Sequence, residues 1–133
     1  MKEHLKLAAF YLWQYTGYSN TQALWYCAED IASFFERCQY TTEESVQKVM
    51  NLNRADRDYR AFIRHISYRL HLYTGIIDDS FNWQVTEKLL DNVEWRESII
   101  ALAAGLSTMR RGESPQDDYQ LQSPVIKEYY PNK

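Results

Sequence analysis

The chain has 133 residues, 45% hydrophobic and 25% charged, which is the composition of a folded domain rather than a disordered one. A formal charge of −3 is too mild to argue by itself for nucleic acid or membrane as partner. No apolar run approaches the ~18 residues of a membrane span, and Met-Lys-Glu-His-Leu-Lys lacks the apolar core of a secretory leader, so the cytoplasm is the expected compartment.

Cys27 and Cys38 stand without a framework and read as reduced thiols, and no further Cys or His lies beside them at metal-ligand spacing. No cofactor or metal is expected. All three prolines (Pro115, Pro124, Pro131) fall near the C-terminus, leaving the rest free of the strongest helix breaker.

In chain order, residues 5–15 are periodic and apolar on one side and run into Gly17, which can close a helix in the left-handed conformation. Asn20 then supplies a cap for a second helix over about 21–39, with Trp25, Ala28, Ile31, Ala32 and Phe35 on one face. Thr41-x-x-Glu44 reads as a capping box opening a third helix through residue 53, with Val46, Val49 and Met50 inward. Residues 59–73 repeat the first pattern and end at Gly75, and Asp78–Ser80 cap a fifth helix placing Trp83, Thr86, Leu89 and Leu90 on one side. Asn92 caps a sixth, striped by Trp95, Ile99, Leu102, Leu106 and Met109.

A self-comparison with a shift of 58 residues explains this order. Leu12, Tyr15, Thr16, Gly17, Trp25 and Glu29 fall on Leu70, Tyr73, Thr74, Gly75, Trp83 and Glu87, six identities over the 24 positions from 8 to 31. The pattern predicts an all-α, pseudo-symmetric bundle of about six helices from a duplicated three-helix module. One domain spans 1–111, in repeats of about 1–53 and 54–111, and a polar, proline-punctuated tail spans 112–133.

The repeated signature is Gly17, Trp25, Glu29 and Gly75, Trp83, Glu87. Its glutamates are expected to be structural, accepting hydrogen bonds beside their own hairpins. The rival reading is a symmetric carboxylate pair for a metal or for proton transfer, but the Glu-x-x-His spacing of helical metal sites is absent. The run Ala9-Phe10-x2-Trp13-x3-Gly17-x7-Trp25-x2-Ala28-Glu29 resembles a short bacterial domain family of unknown function. That resemblance implies the helical hairpin and no chemistry. The second copy departs from it at Ser67, His71 and Thr86.

The charged element is the helix near residues 56–73. Arg57, Arg60, Arg64 and His71 fall within about 60° of one another on a helical wheel, with Arg54 beside them. Tyr59, Phe62, Ile63, Ile66, Leu70 and Tyr73 take the other side. Arginine's planar fork suits carboxylate or phosphate. The expectation is a non-enzymatic protein-interaction module, of accessory, inhibitor or adaptor type, docking another protein through this face, through Tyr119, Tyr129 and Tyr130 of the tail, or both. Nucleic acid is the alternative partner for the same stripe, and pairing of two copies of the chain is a further alternative. Arg60-x4-His65 and Arg64-x6-His71 also fit the Arg-x4–6-His pattern of a family of helical ribonucleases, although Ala61 stands where that family places a polar residue.

Overall fold

The computed structural model describes residues 2–109, and the tail residues Tyr119, Tyr129 and Tyr130 lie outside them. Six helices follow one another: α1 (Lys2–Thr16), α2 (Thr21–Arg37), α3 (Glu43–Met50), α4 (Arg57–Thr74), α5 (Asp79–Asp91) and α6 (Val93–Thr108). Among the described residues there is no strand, so the fold is all-α, and no helix is long and apolar enough to cross a membrane.

Each first helix ends as its sequence requires. Gly17 and Gly75 sit at φ +76° and +75°, a left-handed turn open to glycine at little cost. Their amides donate to the Trp13 and His71 carbonyls, both at 2.8 Å. The preceding threonines add a second matched pair of bonds, Thr16 Oγ1 to the Leu12 carbonyl and Thr74 Oγ1 to the Leu70 carbonyl, both at 2.6 Å. Asn20 and Asp78 then accept from Ala23 N and Phe81 N, capping α2 and α5.

The third helices are not equivalent. α3 has 8 residues and lies against α4, whereas α6 has 16 and packs along α1 and α2 at the centre of the bundle. Trp95, Ile99, Leu102, Ala103 and Leu106 of α6 are buried there with Leu5, Ala8 and Leu12 of α1 and Leu24, Ala28 and Ile31 of α2. The matching of the two copies is therefore visible at the hairpin corners and does not extend to the helices that follow.

Three boundaries differ from the sequence pattern, each for a local reason. α2 stops at Arg37 because Gln39 adopts φ +64°, which ends the helical run. The capping box uses Thr42 and Ser45 rather than Thr41 and Glu44, with reciprocal bonds of 3.1 and 3.2 Å. Glu43 is thereby the first residue of α3, where its carboxylate pairs with Arg96 of α6 at 2.7 Å. α3 ends at Met50 because Asn53 Oδ1 accepts from Ala55 N at 2.8 Å, turning the chain toward Asp56, which caps α4.

The halves meet through a buried ion pair that the sequence pattern does not announce. Arg69 of α4 and Asp30 of α2 are both 0% exposed. Arg69 Nε donates to Asp30 Oδ1 at 3.3 Å, and the Tyr73 hydroxyl donates to Asp30 Oδ2 at 3.0 Å. Arg69 Nη1 reaches the His65 carbonyl at 2.7 Å, and its guanidinium lies 4.8 Å from the centre of the Phe34 ring. Burial pushes the Asp30 carboxyl above its ordinary value, against the opposing pull of Arg69 and Tyr73. Replacing one partner strands the other in the core. Asp30→Ala is expected to lower stability by about 3–5 kcal/mol, and Asp30→Leu combined with Arg69→Met to recover most of that loss. Urea-denaturation midpoints of the single and double variants measure both.

Candidate functional site

The exposed side of α4 is the charged face that the wheel predicts. Tyr59, Phe62, Ile63, Ile66, Leu70 and Tyr73 are buried, which leaves Arg57, Arg60 and Arg64 exposed on the outer side. None of these three makes an ion pair with a described residue, whereas Arg54, Arg69 and Arg96 are each paired with a carboxylate. The Arg60 guanidinium lies 5.0 Å from the centre of the Trp83 ring of α5, a cation–π contact that holds it over that helix.

Two residues of the expected stripe behave differently. Arg54 precedes α4, in the turn made by Asn53, and is tethered by its Nη1 to Glu87 Oε2 at 2.6 Å. His71 is half-buried, and its Nδ1 faces the Ile76 carbonyl at 3.0 Å. A carbonyl only accepts, so Nδ1 carries a proton and donates.

The repeated glutamates part company. Glu87 accepts from Arg54 and from the Tyr59 hydroxyl at 2.9 Å, a structural role that ties α5 to the start of α4. Glu29 corrects the expectation of a hydrogen-bonded twin. It is 7% exposed and its Oε1 has no hydrogen-bond partner. Burial pushes its carboxyl up to about 7. No hydrogen bond joins the two glutamates, and among the described residues no group of three or more His, Cys, Asp or Glu could hold a metal ion.

The two arginine–histidine spacings have different outcomes. Arg60 leans on Trp83 of α5, while His65 stacks on Phe34 of α2 with ring centres 5.0 Å apart, so that pair does not converge. Arg64 and His71 do share a cleft, with Ser67, Tyr68, Asp79 and Trp83.

Sequence reasoning missed the corresponding face of α1. Leu5, Ala8, Ala9 and Leu12 form the buried stripe, which leaves Phe10 and Trp13 off it, 47% and 48% exposed. With Lys6, Thr21 and Trp25 they line a cleft of their own. The signal was present in the spacing, since neither ring falls at the i, i+3, i+4, i+7 positions of the apolar face. Comparison with protein-family models, curated proteins and solved structures yields no match.

Glu29 generates a pH prediction. Its carboxyl titrates near 7 in the folded chain and near 4.5 when exposed by unfolding. The contribution of Glu29 to stability is therefore greatest below about 4.5, falls as pH rises through the interval, and levels off above about 7, with a loss of up to about 3 kcal/mol. Glu29→Gln should remove this slope and be the more stable protein at pH 8. Thermal melts of both proteins from pH 4 to pH 8 measure it, and parallel profiles would show that Glu29 is solvated.

Proposed function

We propose that this chain is a non-enzymatic protein-interaction module that docks an acidic segment of a partner protein on the Arg57–Arg60–Arg64 face of α4. One observation carries the reading. Three exposed arginines lie along one helix face with no ion pair to a described residue, while Arg54, Arg69 and Arg96 are neutralised. Guanidinium groups left in this state offer bidentate recognition of carboxylates, and the aromatic surface beside them supplies apolar contact.

The same face would attract phosphate, and a protein partner is favoured by the charges around it. Asp58 is exposed one residue from Arg57, Asp79 lines the cleft that holds Arg64, and the whole chain is acidic. A nucleic-acid backbone needs an unbroken cationic track, and these acids interrupt one.

The test is charge reversal. The variant Arg57→Glu, Arg60→Glu, Arg64→Glu should lose binding to a synthetic glutamate-rich peptide, measured by calorimetry, and keep its thermal midpoint nearly unchanged. Exposed charges contribute only about 0–1 kcal/mol per pair. A folded variant that binds as well as the parent overturns the docking face. A parent that binds an oligonucleotide with steep salt dependence, and the peptide not at all, turns the reading to nucleic acid.

A further inference from the structure

The cleft on α4–α5 and the cleft on α1–α2 follow one plan. All six residues that line the former map, by the shift of 58, onto residues that line the latter. The two are also of similar size, about 490 and 450 Å³. A cation stands at the same place in each, Arg64 in one and Lys6 in the other, both exposed and without an ion pair to a described residue. The second helix contributes its tryptophan, Trp83 or Trp25, half-buried in both. On the first helix the ring pairs correspond in geometry as well as in position. Tyr68 and His71 have centres 5.9 Å apart at 51°, and Phe10 and Trp13 have centres 5.8 Å apart at 43°.

Core packing does not account for this agreement. Phe10, Trp13 and Tyr68 are three of the few large apolar side chains that the described surface leaves exposed, and all three line these clefts. Exposed rings gathered beside an unpaired cation mark a binding surface rather than a scattering of surface residues. A guest must satisfy both parts. It needs a carboxylate for the lysine or arginine, and an aromatic or aliphatic side chain to lie against the tryptophan and its neighbouring ring.

We propose that both clefts are recognition slots, each taking a hydrophobic side chain flanked by a carboxylate from an acidic segment of a partner protein, so that the chain grips its partner at two related points. This rests on the protein-interaction reading above and adds a second site, on α1, to the face on α4. The slots are not identical. The α1–α2 cleft has aromatic rings at Phe10 and Trp13 and a hydroxyl at Thr21, and it favours the more apolar guest. The α4–α5 cleft has His71 and Asp79 at the positions of Trp13 and Thr21, and it favours a guest that also carries a hydrogen-bond donor.

The experiment titrates the full chain with a short synthetic peptide alternating glutamate with phenylalanine and leucine. Calorimetry gives the stoichiometry, and the change in intrinsic fluorescence reports on Trp13, Trp25 and Trp83, with buried Trp95 as a constant background. Two sites per chain are expected. Lys6→Glu should remove one and Arg64→Glu the other, and the two together should weaken binding by at least about tenfold. Phe10→Ala and Tyr68→Ala provide the same readout without a change of charge, and circular dichroism verifies that each variant is folded. A single site lost with Arg64→Glu and untouched by Lys6→Glu overturns the paired slots and leaves the α4 docking face standing. Binding that neither substitution alters overturns the slots outright. Absence of peptide binding overturns both readings. Binding of a single-stranded oligonucleotide in place of the peptide, lost on the same substitutions, overturns the protein partner.

Discussion

Asp30 and Arg69 form the interaction on which the bundle depends. Both side chains are fully buried, so neither charge can be relieved by water, and each must satisfy the other. Their demands fix α2 against α4, and with them the two hairpins. Tyr73 closes the second carboxylate oxygen, the His65 carbonyl takes one guanidinium nitrogen, and Phe34 covers the guanidinium face. An apolar contact at this place would tolerate sliding by a residue or by part of a turn. The directional bonds tolerate neither, because a shifted α4 leaves a buried charge unpaired.

This pair has no counterpart in the other half. The position matching Asp30 is Lys88, which is exposed, and the position matching Arg69 is Tyr11, whose hydroxyl donates to Glu94 of α6. Asn92 then reaches the Tyr15 hydroxyl at 3.1 Å, where Tyr73 in the second copy serves Asp30. The same tyrosine position thus anchors α1 to the start of α6 and α4 to α2. The matched positions meet different partners, in keeping with one third helix being central and the other peripheral. The Arg96–Glu43 pair joins those unlike third helices, and Arg96 holds the Glu43 carboxyl below its ordinary value.

The helices and their order were legible in the sequence because their determinants are local. Gly17 and Gly75 end helices by backbone conformation, and Asn20, Asp78 and Asn92 begin them with one side-chain oxygen. The apolar face of α4 was legible from its periodicity, and with it the exposure of Arg57, Arg60 and Arg64. What escaped was set by partners distant in the chain. Arg69 lies on the apolar side of α4, where only a carboxylate 39 positions earlier explains it. Glu29 repeats Glu87 in the sequence, yet Glu87 is held by Arg54 and Tyr59, about thirty positions earlier, while Glu29 Oε1 is buried without a hydrogen-bond partner. The Thr42–Ser45 box takes the place of the predicted one, and Glu43, first in α3, pairs with Arg96 53 positions later. The α1 cleft was missed for the opposite reason. Phe10 and Trp13 stood in the repeated pattern, and only their angular position separates them from the buried stripe of α1.

The residues shared by the two hairpins are of two kinds. Gly17 with Gly75 and Thr16 with Thr74 make the corner, and the corner is the same to within a tenth of an ångström in its hydrogen bonds. Trp25 and Trp83 do not belong to it. Both are only half-buried, and both face clefts whose other walls have changed from lysine to arginine, from phenylalanine to tyrosine and from tryptophan to histidine. The corner matches closely, while the cleft beside it varies in residue type around a cation and a ring. Stability alone would account for the glycines and threonines. Trp25 and Trp83 likewise pack against the core, and each also lines a cleft beside a cation that makes no ion pair with a described residue. Exposed rings are costly to keep against water, about 25 cal/mol for each Å2 left uncovered, and a guest that covers them recovers that cost.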